Sequence, residues 1–422
     1  MSELGPSPLA AGDLQVSVDA ARRAIAEALV PITGTEPLPL AAAVGRVLAA
    51  DVASPIDVPA HDNSAMDGYA FDGAALAPDA ATVLQAVGTV YAGAPFAGSV
   101  GPGECVRIMT GAVMPAGLDT VVPLELCRER AGQVHIDAGR ISRGENLRRR
   151  GEALRAGRPA LQAGRVLRPA DLVLLASLGF TEVGVRRRLR VAVFSTGDEV
   201  QAPGEALRPG SIYDSNRTSL LAALQRLGMQ ALDLGLVRDD PQALQATLHQ
   251  ALEQADAVIT SGGVSAGDAD YTREVLARMG EVAFWKVAMR PGRPFAFGEL
   301  GRDARRAWLF ALPGNPVAAL VTFYAFAREA LLQLAGATPQ PLPTLQARSE
   351  VALRKRPGRT EFQRGIVSPG ADGTWQVRLT GSQGAGVLRS MSEANCLVVL
   401  GHEQGSVAAG EPVTVWLFDG LV

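Results

Sequence analysis

The chain is poor in cysteine and histidine and carries no excess of positive charge. Three cysteines, Cys105, Cys127 and Cys396, lie far apart with no C-x-x-C pair, which excludes a zinc site of the usual spacing. An odd count without a secretion signal points to reduced thiols and a cytoplasmic protein. None of the four histidines has partners at metal-ligand spacing, and His61 reads as a surface residue. A formal net charge of −3 offers nothing to duplex nucleic acid, so phosphate recognition must be local, made by a few arginines and backbone N–H groups. The stretch from Met1 to Leu14 reads as a frayed end, without the basic-then-apolar pattern of a signal peptide. The longest apolar run, Leu172 to Leu178, falls far short of the roughly 20 residues a bilayer crossing needs. No nucleic-acid or membrane partner is therefore expected.

What is present is ordinary globular composition, 47% apolar and 20% charged over 422 residues; that length suggests about two to four domains. Helical spacing runs from Val16 to Leu29, with Ser17 and Asp19 as cap candidates. From Asp57 to Ser142, short β-rich runs are punctuated by Gly and Pro, which reads as a small all-β module. Arg187 to Leu334 alternates strands with helices, opening on the buried-strand run Leu189 to Phe194. Such alternation implies a doubly wound parallel sheet. Beyond the proline-spaced linker Pro339, Pro341 and Pro343, short strands with glycine turns read as a C-terminal β-sandwich or barrel. The expected class is multidomain α/β plus all-β.

In parallel sheets of this kind, ligands bind beyond the carboxyl ends of the strands, and three unusual loops, opening at Ser195, Ser261 and Pro313, fall there. Ser261-Gly262-Gly263-Val264-Ser265 follows a strand directly. Its glycines let the backbone approach an anion, and successive N–H groups can form a concave nest. The same spacing also suits a plain strand-to-helix turn, and no lysine follows to make a Walker A loop. Asp268 and Asp270 come close behind it. Ser195-Thr196-Gly197-Asp198-Glu199 places two adjacent carboxylates that repel unless a cation or proton intervenes, a need that Mg²⁺ would meet; a solvated turn is the alternative. In Arg238-Asp239-Asp240-Pro241, Asp240 reads as a helix cap, leaving Asp239 for chemistry. Pro313-Gly314-Asn315-Pro316 starts a helix whose N–H groups face the same rim. Lys286, Arg290 and Arg293 lie on a Pro- and Gly-interrupted stretch and suit an oxyanion.

Taken together with Asp62 to Ala70, Arg107 to Ala112, Arg148 to Glu152 and Pro291 to Phe297, these segments resemble the molybdopterin molybdenumtransferase family, which includes the gephyrin C-terminal region. The resemblance covers the chain from about Val16 to its end. It implies a homodimer with four parts per chain: a discontinuous linking domain (15–56 and 143–185), an inserted β module (57–142), an α/β molybdopterin-binding domain (186–336) and a C-terminal β domain (337–422). It implies insertion of molybdate into adenylylated molybdopterin with release of AMP, assisted by Mg²⁺. By motif position, Asp67, Thr110, Glu199, Asp239, Asp270 and Lys286 would be catalytic, with Glu199, Asp239 and Asp270 also holding the metal. Ser261, Gly262, Gly263, Ser265, Arg290, Arg293, Pro313, Gly314, Asn315 and Arg364 would bind substrate. A molybdopterin adenylyltransferase would stand upstream and molybdoenzymes downstream as partners. The chain departs from the family pattern at Ala153, at Ala385, and at Arg290 and Arg293, where lysines are common. The adenylyltransferase activity itself, and a catalytically weak gephyrin-like scaffold, are the competing readings.

Overall fold

A computed structural model describes residues 14–263, 270–302 and 305–418, so most of the segment expected to be frayed lies outside them. The largest sheet has seven strands. Its centre is parallel: Gln230–Val237, Arg190–Thr196, Ala257–Ser261 and Arg305–Leu312 lie side by side in that order. Alternation along the Arg190 strand sends Val191 and Val193 into one core layer and Ala192 and Phe194 into the other, the two-sided burial that makes such a strand read as continuously apolar. Helices Asn216–Arg226 and Pro316–Leu334 cover the first face; Pro241–Gln254 and Asp270–Met279 cover the second.

The sheet does not end with its parallel centre. Gly280–Val287 and Pro294–Arg302 add an antiparallel pair beside Arg305–Leu312, and Leu14–Val16 joins the outer edge parallel to Trp285–Val287. The Pro- and Gly-interrupted stretch of the sequence thus contains the turn between two antiparallel strands. Pro294 begins its strand, a position where a missing N–H is tolerated.

Cap chemistry sets the helix starts. Ser17 accepts from the Ala20 amide at 3.2 Å, and Asp240 from the Ala243 amide at 2.7 Å with Pro241 behind it. The helix Pro316–Leu334 is long and apolar enough, by length and composition, to cross a membrane, but 72% of its apolar window is buried inside the protein. It widens into a π turn over Phe323–Ala327, where Arg22 Nε donates to the Ala325 carbonyl at 2.8 Å. A side chain thereby serves a carbonyl in the widened stretch of the helical ladder.

Three two-stranded ribbons pair the chain before residue 65 with the chain after residue 146: Thr35–Pro39 with Glu182–Arg186, Val52–Ala53 with Pro159–Leu161, and Asn63–Ser64 with Leu147–Arg148. Between them runs a six-stranded sheet containing Gly68–Phe71, Thr82–Val90, Glu104–Ile108, Thr120–Pro123, Cys127–Arg130 and Gln133–Ile136. The C-terminal strands close on themselves, because Thr360–Pro369 pairs with both Trp375–Leu379 and Cys396–Leu400. The result is a five-stranded barrel rather than a sandwich, with no free edge.

Replacing Asp240 by Ala removes an N-cap acceptor and is expected to cost about 1 kcal/mol. The cost should appear as a lower urea midpoint for loss of helical circular dichroism, at unchanged slope. An unchanged midpoint would mean that Pro241 alone starts the helix.

Candidate active site

Strand register builds the site. Ser195 lies beside Ser261, Ser261 beside Leu312, and Thr196 beside Val237. Four strands therefore end at one height, and the loops after them open onto one rim, as expected for a parallel sheet. They enclose a cleft of about 360 Å³ lined by Thr196, Gly197, Glu199, Asp239, Ser261, Gly262, Gly263, Pro313, Gly314 and Asn315, among others.

The glycine loop is shaped by steric necessity. Gly262 and Gly263 have φ of +97° and +70°, and a Cβ on Gly262 would stand 2.7 Å from the Thr196 carbonyl oxygen. Only glycine allows that approach. The expectation of a nest of free N–H groups needs correction, however. The Gly262 N–H donates to the Leu312 carbonyl at 3.1 Å and is spent on the sheet. The helix start at Pro316 is likewise partly committed: Pro316 has no N–H, and the Val317 N–H donates to the Ala385 carbonyl of the barrel at 3.1 Å. That contact is made by backbone and does not depend on the side chain at 385. Val264, Ser265 and Asp268 lie outside the described residues, and Asp270 is described only as the first residue of its helix.

Carboxylates gather on the opposite wall. Asp198 and Asp239 exchange bonds, each backbone N–H donating to the other's carboxylate at 3.4 and 3.3 Å. The adjacent charges of Asp198 and Glu199 diverge: Glu199 lines the cleft, whereas Asp198 lines a neighbouring recess with Arg208 and Arg238. The Tyr271 hydroxyl donates to Asp239 at 3.0 Å. Burial, then this bond to a carboxylate, pushes the phenol up to about 12. Behind the cleft, buried Asp214 accepts from Ser195 Oγ at 3.0 Å and from Arg217 Nε at 2.9 Å.

The candidate cations lie on and just after the strand Gly280–Val287. Lys286 is exposed on the antiparallel strand, in register with Pro294, and Arg290 and Arg293 are exposed at the turn that follows. None of the three lines the cleft. Arg364 is wholly buried: its guanidinium donates to Ser390 Oγ and to the carbonyls of Ser382, Gln383 and Gly384 at 2.9 to 3.2 Å. Burial, then the neighbouring Arg290 charge, lowers its pKa. It therefore braces the 382–385 loop, the same loop whose Ala385 meets the helix start.

Asp67 and Thr110 form a pair on the six-stranded module, away from the cleft lining. Asp67 accepts from the Thr110 amide at 2.7 Å and its hydroxyl at 2.8 Å, bonds that hold its carboxyl below the usual range. Arg148, Arg149 and Arg150 are exposed; Arg150 Nε meets Asp57 at 2.6 Å and its amide meets Asp62 at 2.7 Å. Glu152 accepts from the Arg149 amide, and at Ala153 only a backbone N–H to the Val58 carbonyl appears.

Sequence reasoning missed Asp214, Asn216 and Tyr271 as cleft residues. The available signal was the polar triplet Asp214-Ser215-Asn216 immediately before a helix, at the rim where the other loops end.

Comparison with known proteins gives a consistent picture. Residues 16–179 match the family model of the MoeA N-terminal region, domains I and II; 192–333 match a probable molybdopterin binding domain; 346–418 match the MoeA C-terminal region, domain IV. A molybdopterin molybdenumtransferase of Haemophilus influenzae is 41% identical over 96% of this chain and 100% of its own length. One from a Nostoc species is 37% identical over 90% and 88%. The crystal structure of a molybdopterin biosynthesis moeA protein from Pyrococcus horikoshii superposes with a TM-score of 0.81 at 25% identity, covering 96% of this chain and 100% of that one.

The Tyr271 environment gives a pH signature. Its phenol is pushed up to about 12, so the native state holds the proton more tightly than the unfolded chain. That stabilisation is fully present below about pH 10 and is lost as pH rises towards 12. Phenolate absorbance of native protein should show the late step, and Tyr271→Phe should remove one tyrosine from it. A Tyr271 ionising near 10 would refute the bond to Asp239.

Proposed function

The chain belongs to the molybdopterin molybdenumtransferase family, and on that premise we propose that it inserts molybdate into adenylylated molybdopterin, releasing AMP. The carrying observation is the cleft itself, where carboxylates from two loops face a glycine loop and a Pro-Gly-Asn-Pro loop across one strand-end rim. The cleft takes the phosphate-bearing end of the substrate, with Ser261, Gly262, Gly263, Pro313, Gly314 and Asn315 as its wall.

Mg²⁺ suits the opposite wall, because it is held by one or two carboxylates and completes its shell with substrate phosphate oxygens. Glu199 and Asp239 would hold it, with Asp270, and when bound it would neutralise charge on the phosphate linkage and on departing AMP. Tyr271 keeps Asp239 oriented by donating to one oxygen, leaving the other free of that bond.

Molybdate is a dianion and is repelled by a carboxylate-lined wall. We place it on the cationic side, with Arg290 and Arg293, and assign Lys286 the compensation of its charge during transfer. Among the described residues, buried Arg364 has only neutral acceptors, so its charge adds to the field there while it holds the 382–385 loop. Arg at 290 and 293 keeps the charge but presents a planar fork in place of a point charge.

Asp67 and Thr110, paired but distant from the cleft lining, have a use in a homodimer: a second copy can bring them to a cleft that its own chain does not let them line. We take the protein to be such a homodimer, cytoplasmic and divided as its sequence suggests. Adenylyl transfer to the pterin must precede this reaction, and enzymes using the molybdenum-bearing pterin must follow. An adenylyltransferase reading of the chain itself is disfavoured, since matches to both MoeA-specific regions flank the shared domain.

Purified protein given adenylylated molybdopterin, Mg²⁺ and molybdate should release AMP and yield a molybdenum-bearing pterin. Glu199→Gln and Asp239→Asn should each slow AMP release about 10²-fold or more. Lys286→Ala should reduce only its molybdate-dependent part. Unchanged AMP release in all three, or consumption of ATP with unmodified pterin, would overturn the proposal.

A further inference from the structure

Asn216 opens the helix Asn216–Arg226 and lies buried in the cleft wall. Its Nδ2 donates to Ser261 Oγ at 2.6 Å and to the Gly314 carbonyl at 2.7 Å. A carbonyl can only accept, so the second contact fixes which end of the amide faces the rim. One side chain from the loop after the first parallel strand thus reaches the loops after two others. Those loops are close: a Cβ on Gly314 would stand 3.7 Å from Gly262 Cα.

The anchor is itself held. Asp214 accepts from the Arg217 amide at 3.1 Å, and Ser219 Oγ donates to the Asn216 carbonyl at 2.9 Å. Nothing in the helix requires the Nδ2 contacts, because the Asn216 side chain points its donors across the rim rather than at its own turn. Two polar atoms of the cleft residues, Asn216 Oδ1 and Thr196 Oγ1, are buried with no hydrogen-bond partner among the described residues. Folded proteins leave few such atoms, and these coincide with the site.

We infer that Asn216 is a positioning residue that sets the separation of the glycine loop from the Pro313–Asn315 loop, and through them the grip on the substrate's phosphate-bearing end. The inference rests on the reading above that this end occupies the cleft. Asn216 acts through Ser261 and Gly314, so its loss should weaken binding of that end far more than it slows the reaction of bound substrate.

AMP, the released product, is the probe. In the full-length protein, Asn216→Ala should weaken AMP binding by calorimetry about tenfold or more. It should raise KM for adenylylated molybdopterin by a similar factor, with kcat within about threefold and the molybdate dependence unchanged. Asn216→Asp keeps the volume but cannot donate to the Gly314 carbonyl, so it should weaken AMP at least as much. It also carries the test should the alanine variant fold poorly. AMP affinity equal to wild type in both variants overturns the inference while leaving the cleft assignment intact, as does a loss of kcat and thermal midpoint at unchanged AMP affinity. Failure of wild-type protein to bind AMP overturns the cleft assignment, and this inference with it.

Discussion

The structure depends on the register of four parallel strands. Ser195, Ser261 and Leu312 stand in one row, with Thr196 beside Val237. A parallel strand must exchange its end for a crossover helix, so each of these strands delivers a loop to the same edge. Glu199, Asp239, the glycine loop and the Pro313 loop derive from sequence positions spread over more than a hundred residues. Their convergence needs no special arrangement beyond that register. A shift of one residue in the Arg190 strand would send the side chains of one core layer into the other, so the core that stabilises the domain also fixes the site.

Glu199 and Asp239 line the cleft at this edge, whereas Lys286, Arg290 and Arg293 lie on or just after the strand Gly280–Val287, outside the lining. Arg364 shows how the barrel takes part. A wholly buried guanidinium without a carboxylate is costly, and it is tolerated here because four neutral acceptors from one loop and one helix surround it.

Much of the architecture was legible because its signals are local. Ser17 and Asp240 cap helices as their sequence contexts suggest, and the buried strands read as apolar runs. The strands Gly280–Val287 and Pro294–Arg302 were not legible, since the prolines and glycines between them suggest a loop, although the two strands pair with each other as neighbours in sequence. The rim loops could be named as a site, but not the use of their N–H groups: Gly262 and Val317 spend theirs on Leu312 and Ala385, contacts visible only in three dimensions. Arg364 carried no mark of burial in its sequence. Asn216 was hidden for the opposite reason, because an asparagine at a helix start is already explained by capping.

Hydrogen–deuterium exchange of the wild-type protein with and without AMP tests the central claim most directly. Slowed exchange confined to the loops after Thr196, Val237, Ser261 and Leu312 is the predicted result, with the module around Asp67 and the barrel strands unchanged. Protection elsewhere, or none at the strand-end rim under saturating AMP, would contradict the account.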